Sequence, residues 1–428
     1  MTLTERDKKV IWHPFTQQKN MLPPIPITKG INSLLIDEDG NEYIDAISSW
    51  WVTLHGHSNT YIAEKLYQQA LQLEQVIFAG FTHKPAITLA EKLLSILPGV
   101  FSKIFYSDNG STSTEVALKM AIQYWWNKQE NGNKTTQYAR NKILAFNNSY
   151  HGDTFGAMSV SDRSVFTLAF HNLLFEVIFI DTPTEENIEA IQLTIQQHAN
   201  EIAAFIYEPL VQGAGGIKMY NAQLLNKILS TVKEHHIICI ADEVMTGFGR
   251  TGKLFASEYI TIKPDIICLS KGLTGGTMAL GVTACTADIY NAYVTDDKLK
   301  TFFHGHSFTA NPLACTTALA SLDLLLNEEC LNKIKWINDK NILFANILLQ
   351  SKNNTIKNIR TLGTIVAFEI VKGKDEYLNN ISTTITQKAM QMGVYIRPLG
   401  NTVYIMPPYC ITENELEKVY AVILKIIE

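Results

Sequence analysis

Four short runs hold side chains that could do covalent chemistry. In the first, the apolar stretch Ile266-Ile267-Cys268-Leu269 stops at Ser270 and Lys271 follows directly. Gly272, Gly275 and Gly276 then let the backbone turn tightly and crowd a ligand. A lysine at the end of a buried parallel strand sits where α/β proteins gather their ligands. Desolvated there, its amine would lose its proton readily and could form a Schiff base with a carbonyl. A surface lysine in a glycine-rich loop is the competing account of this run taken alone.

The second run is Ile240-Ala241-Asp242-Glu243-Val244. Two acids end an apolar strand, and a bare buried carboxylate is costly, so something specific must solvate them. Asp242 set against a protonated pyridine nitrogen meets that need and makes the ring a better electron sink; helix capping is the plainer alternative. The third run, Gly110-Ser111-Thr112, opens a helical pattern, where free backbone N–H groups, the helix dipole and two hydroxyls suit a phosphate. An ordinary capped helix would carry the same residues. The fourth, Ser149-Tyr150-His151-Gly152-Asp153, offers an aromatic that could stack on a flat ring, or a surface turn. A phosphate cradle, an imine-forming lysine, a ring-nitrogen acid and a stacking aromatic, in this order and spacing, describe a site for pyridoxal 5′-phosphate.

The elements around these runs are those of an α/β fold with a mainly parallel sheet. Residues 1–30 read as irregular, because Trp12-His13-Pro14-Phe15 and Pro23-Pro24-Ile25-Pro26 resist helix and central strand alike. A hairpin follows, 33–36 and 42–45, turning at Asp37-Glu38-Asp39-Gly40. Helical patterns fill much of 59–97, then a strand at 103–107 runs into the Gly110 loop. Thr112 with Glu115 three residues on makes a capping-box pattern that starts the next helix just after the glycine. Strand-like runs at 142–146, 177–180, 203–207, 236–241 and 265–270 then alternate with helical ones at 184–200, 222–235 and 312–326. That alternation predicts parallel strands covered by helices on both faces. From about residue 330 the pattern becomes α+β: helix 331–350, strands near 357–371, helix 377–392, strands near 394–406 and helix 413–427.

Composition bounds the rest. A chain of 428 residues exceeds the size at which one core keeps growing, so more than one unit is expected. The formal net charge is −5 with no long basic run, which argues against nucleic acid. No stretch is apolar for long enough to span a bilayer, and the charged amino terminus is unlike a secretory leader. The six scattered cysteines fit free thiols in a reducing cytoplasm. The pairs His55/His57, His235/His236 and His304/His306 lack the carboxylate and helix context of a metal site, so no metal is expected.

The stretch 241–252, Ala-Asp242-Glu-Val-Met-Thr-Gly-Phe-Gly-Arg-Thr-Gly, followed by Pro264-Asp265-Ile266 and Ser270-Lys271-Gly272, resembles the signature of the class III aminotransferases. That resemblance implies a fold-type I pyridoxal-phosphate architecture. It comprises a large domain, 51–329, a small domain from both termini, 1–50 and 330–428, and a cytoplasmic homodimer with shared active sites. Within the family, Trp12-His13-Pro14-Phe15, Ser48-Ser49-Trp50-Trp51, Tyr150-His151-Gly152-Asp153-Thr154, Glu208-Pro209-Leu210-Val211-Gln212 and Gly275-Gly276-Thr277-Met278 resemble the branch that makes 7,8-diaminononanoate for biotin. Its small-molecule substrates are S-adenosylmethionine, the amino donor, and 8-amino-7-oxononanoate, the acceptor.

Position by position, the resemblance makes Lys271 the Schiff-base lysine, Asp242 the partner of the pyridine nitrogen, and Gly110 and Ser111 the phosphate holders. Tyr150 stacks near the ring and touches substrate. His306 and Ser307 reach the phosphate of the neighbouring subunit's cofactor, with Gly305 beside substrate. Trp51 lines the substrate channel, and Arg397 pairs with the acceptor's carboxylate. Two departures stand out. His306-Ser307 replaces a familiar proline-threonine pair, and Phe15 stands where many members carry a substrate-recognising tyrosine. Lysine as donor, another omega-aminotransferase or an aminomutase are therefore the alternative activities.

Overall fold

The computed structural model describes residues 1–128, 140–351, 353–371 and 381–428. The amino terminus is more regular than expected. Leu3–Val10 is a helix whose Thr2 and Glu5 form a reciprocal capping box. Local capping built it, and no apolar periodicity announced it, since none of its residues is buried. Strand β1 (Ile27–Ile31) pairs antiparallel with β2 (Leu34–Asp37), and β2 with β3 (Glu42–Asp45).

The main sheet uses β4 (Lys103–Ser107), β5 (Lys142–Phe146), β6 (Val177–Ile180) and β7 (Ile202–Tyr207). After the short hairpin β8 (Val211–Gln212) and β9 (Lys218–Met219), it continues with β10 (Ile238–Asp242), β11 (Ile266–Leu269) and β12 (Gly281–Cys285). The order across the sheet is β4-β12-β11-β10-β7-β5-β6. Every residue of β7, β10 and β11 is buried, as strands covered on both faces must be.

The sequence did not announce β12. It runs antiparallel between β4 and β11. Only the short 3-10 turn Lys271–Thr274 separates β11 from β12, too short to signal a crossover, and Gly-Val-Thr-Ala-Cys is too short to alternate visibly. Its Gly281 is obligatory: a Cβ there would lie 2.3 Å from the Asn109 carbonyl oxygen. Both neighbours of β12 run opposite to it, so β4 and β11 point the same way.

The helix Gly110–Asn127 corrects the expected capping box. Its N-cap is Asn109, whose side chain accepts from the Thr112 amide at 3.0 Å, while Thr112 Oγ1 accepts from the Asn109 amide at 2.9 Å. Thr112 is therefore a first-turn residue. Glu115 is free to accept from Thr154 Oγ1 at 2.6 Å and from the Ala157 amide at 3.1 Å, anchoring the helix Phe155–Val160.

Towards the carboxyl end, β13 (Ile356–Leu362), β14 (Ile365–Ile370) and, later, β16 (Thr402–Ile405) make an antiparallel sheet. The intervening β15 (Val394–Tyr395) returns to pair with β3, so the chain's two ends share one sheet. The helix Glu328–Gln350 starts three residues before its expected position, capped by Asn327. The expected helix 377–392 is present as Ile381–Gln391, its first four residues lying outside the described ones. Among the described residues, no helix is long and apolar enough to cross a membrane, and no cluster of three or more His, Cys, Asp or Glu side chains could hold a metal ion.

Candidate active site

The carboxyl ends of β4, β5, β10 and β11 open onto one cavity of about 420 Å³. Gly110 and Ser111 follow β4, Tyr150 follows β5, Asp242 ends β10, and Lys271 follows β11; all five line it, with Trp51. Parallel strands deliver these groups to a common edge, which is why residues scattered over 160 positions meet.

Lys271 occupies the left-handed backbone region, φ 44°, which is strained for a residue with a Cβ. The surrounding loop enforces that turn. Ser270 Oγ donates to the Leu280 carbonyl at 2.7 Å, and the glycine after the lysine packs against Leu54. The Lys271 Nζ lies 4.7 Å from the centre of the Trp51 ring. Desolvation lowers its pKa, while Asp242 and Glu208 pull the other way. An amine so placed gives up its proton more easily than one in water. Trp51 is fixed in turn: its Nε1 donates to the Tyr404 hydroxyl at 2.9 Å, and the buried Arg250 donates to its carbonyl at 3.3 Å.

Asp242 is buried, and its carboxylate is not bare. His151 Nδ1 donates to Asp242 Oδ2 at 2.7 Å, and the Val244 amide donates to Oδ1 at 3.0 Å. The His151 amide itself donates to Ser161 Oγ at 2.9 Å, which fixes where the ring stands. Beside this pair lies Glu208, which accepts from the amides of Tyr150 and Gly213 at 3.2 and 2.8 Å. Burial pushes the Glu208 carboxyl up to about 7, and Asp242 adds to the rise against His151. The Tyr150 phenol is raised well above its ordinary range, chiefly by burial and then by Asp153. It stays protonated and can donate.

The helix Gly110–Asn127 starts at the same cavity. First-turn amides have no intrahelical acceptor, and only that of Thr112 is taken up by the Asn109 cap. Two glycines keep the cradle open. A Cβ on Gly110 would lie 2.8 Å from Val244 Cγ1, and one on Gly152, at φ 130°, would lie 2.3 Å from Ser111 Oγ. An amine, a carboxylate and a helix start thus face one cavity large enough for a substituted pyridine ring. These residues fit pyridoxal 5′-phosphate.

The remaining expected site residues are placed elsewhere. Phe15 and Arg397 flank Trp50, with ring contacts of 5.5 and 5.0 Å. Phe166 then links Phe15 (5.9 Å) to Tyr150 (6.3 Å), so an aromatic wall runs outward from the cavity. Gly305, His306 and Ser307 do not line the cavity; they lie on the loop before the helix Pro312–Leu325. Sequence reasoning assigned no role to His151, Glu208, Trp50 or Phe166. Glu208 had a readable signal, since it ends a wholly apolar strand just as Asp242 does. Nothing local marks Phe166.

The family model described as Aminotransferase class-III matches residues 15–427. A protein of Synechococcus elongatus named adenosylmethionine-8-amino-7-oxononanoate aminotransferase is 45% identical, the match covering 98% of each chain. The crystal structure of a protein with that name from Methanocaldococcus jannaschii superposes with a TM-score of 0.91 at 35% identity, covering 99% of this chain and 98% of its own. An amine transaminase from an uncultivated Pseudomonas species, in a PLP-bound form, superposes with a TM-score of 0.89 at 28% identity, covering 97% and 98%.

Proposed function

The chain belongs to the class III aminotransferases, and on that premise we propose that it moves the amino group of S-adenosylmethionine to 8-amino-7-oxononanoate, giving the 7,8-diaminononanoate used for biotin. The support for the reaction class is the meeting of Lys271, the His151–Asp242 pair and a helix start in one cavity. The support for the substrates is the full-length likeness to relatives named for that reaction.

Bound in this cavity, pyridoxal 5′-phosphate supplies an electron sink for charge developing at the donor's α-carbon. Everything else is done by the chain. Lys271 Nζ would hold the cofactor between turnovers and, once displaced, would take a proton from the donor's α-carbon and give it back on the far side of the amino nitrogen. Its lowered pKa leaves an amine ready for both tasks. Asp242 would hold the ring nitrogen in its protonated form, and His151 aims that carboxylate. Gly110 and Ser111 would hold the phosphate. Trp51 excludes water over the lysine, and the phenol of Tyr150 donates to substrate.

Donor and acceptor use this space in turn, so one set of walls must fit both. Arg397, which lies over Trp50, would pair its planar fork with the acceptor's carboxylate. Gly305, His306 and Ser307 belong to a loop offered to a second copy, in a cytoplasmic homodimer whose small domains join 1–50 with 330–428. The test offers 8-amino-7-oxononanoate with S-adenosylmethionine and with lysine in separate reactions. Diaminononanoate from the first alone is the expected result. Product from lysine alone would reassign the donor, and product from neither would overturn the reading.

A further inference from the structure

Trp50 and Trp51 reach the site from a backbone that their own sequence does not favour. Ser48, Ser49 and Trp51 all have positive φ, 51°, 61° and 69°. Ser49, with ψ −81°, sits in the tight-turn region that strains any residue carrying a Cβ. Such a course persists only where the surroundings impose it.

Asp45, the last residue of β3 and wholly buried, does so. Its Oδ2 accepts from the Ser49 amide at 2.6 Å, from Ser49 Oγ at 3.1 Å and from His57 Nε2 at 2.9 Å. Its Oδ1 accepts from the Ile47 amide at 3.3 Å. The Ser49 amide is thereby drawn back towards the strand that precedes it. A second tie, from Ser48 Oγ to the Met406 carbonyl at 2.8 Å, fixes the turn to the carboxyl-terminal part of the chain.

The turn sends its two tryptophans to different partners. The Trp51 ring centre lies 4.7 Å from Lys271 Nζ, and that of Trp50 lies 5.0 Å from the Arg397 guanidinium. Asp45 also reaches Arg397 through the backbone, because it pairs with Tyr395 in β15, two residues before the arginine. It does not line the cavity itself.

We propose that Asp45 is a positioning residue for both ends of the reaction: by holding Ser49 in its strained turn it sets Trp51 against Lys271 and Trp50 against Arg397. The inference rests on the reading of Lys271 and Arg397 given under the proposed function. Proton transfer and acceptor recognition are then tuned by one carboxylate that meets no substrate.

The test compares wild type, Asp45→Asn, the double variant D45N/S49G and His57→Leu as cofactor-loaded full chains. The asparagine keeps the shape of the aspartate, but its one carbonyl oxygen cannot serve every donor. Ser49→Gly removes the need for the clamp, since a glycine adopts positive φ without a steric penalty. D45N should lose roughly 10- to 100-fold in kcat/KM per loaded chain, through a slower donor half-reaction and a higher KM for 8-amino-7-oxononanoate. Amide hydrogen exchange in the peptide 46–54 should quicken while the central strands of the main sheet stay protected. D45N/S49G should regain most of the lost kcat/KM. H57L, which removes one donor and leaves the carboxylate charged, should move the same way by a smaller factor, and it decides the matter if D45N does not fold. A residue that only supported the fold would change the fraction of loaded chains and leave their rate and KM alone. Unchanged kcat/KM per loaded chain in D45N and H57L, or a D45N loss that S49G fails to recover, overturns the inference and leaves the proposed function standing. A wild-type chain that forms no diaminononanoate overturns both.

Discussion

His151 Nδ1 stands 2.7 Å from Asp242 Oδ2, both side chains buried. This pairing solves the problem that an acid at the end of an apolar strand creates. The imidazole solvates one carboxylate oxygen and the Val244 amide the other, so neither oxygen is buried without a partner. Removing His151 should cost more than one contact. His151→Ala leaves a buried carboxylate oxygen unpaired, a loss of about 1–3 kcal/mol in whatever state depends on that charge. The dissociation constant for pyridoxal 5′-phosphate should rise by about ten-fold or more, with His151→Asn intermediate. Unchanged affinity in both variants would remove His151 from the site.

Glu208 makes stability depend on pH. Its carboxyl is raised from 4.5 to about 7 by burial. The folded chain therefore holds a proton that the unfolded chain has released over that interval, and stability falls as pH rises through it. The contribution is fully present below about 4.5 and gone above about 7. Glu208→Gln cannot titrate, so its stability relative to wild type should increase across this window by roughly 1–3 kcal/mol. Urea unfolding at closely spaced pH values measures it; parallel curves for the two proteins would refute the assignment.

Gly152→Ala tests the cradle. The position combines φ 130° with a Cβ that would overlap Ser111, so strain and collision act together. Expected is a loss of at least about 1–3 kcal/mol in folding stability by thermal or urea unfolding, with weakened cofactor uptake. A variant as stable as wild type would mean that the cradle is not tightly packed.

Arg397→Lys should fail to substitute for the native residue. A bidentate fork on a carboxylate is about 1.5–3 kcal/mol of binding, and a point charge does not reproduce its geometry. The KM for 8-amino-7-oxononanoate should rise by about ten-fold or more, while the half-reaction with the donor changes little. Equal losses in both halves would place Arg397 in a structural role.

Much of this site was readable because parallel strands advertise themselves. Ile238–Asp242 and Ile266–Leu269 are apolar runs broken by a charged residue, and the break marks where the cavity lies. What stayed hidden depends on contacts made in three dimensions. His151 gains its meaning only by meeting Asp242, 91 residues away in sequence. Phe166 joins the aromatic wall through Phe15 and Tyr150, which lie on separate segments. The capping box was misplaced because Asn109 and Thr112 compete for the same role, and an asparagine side chain already accepting from the Thr112 amide wins it. Strand β12 went unseen because its five residues, set between the short turn Lys271–Thr274 and the short helix Ala287–Asn291, show neither alternation nor the spacing of a crossover unit.

The central claim is that the amine of Lys271, and no other, grips the cofactor. Borohydride reduction of the cofactor-loaded full chain, followed by peptide mass spectrometry, reads this directly. The account predicts one pyridoxyl-phosphate adduct per chain, on the peptide containing Lys271, and none in Lys271→Ala. An adduct on a different lysine, or an adduct surviving in that variant, would contradict it.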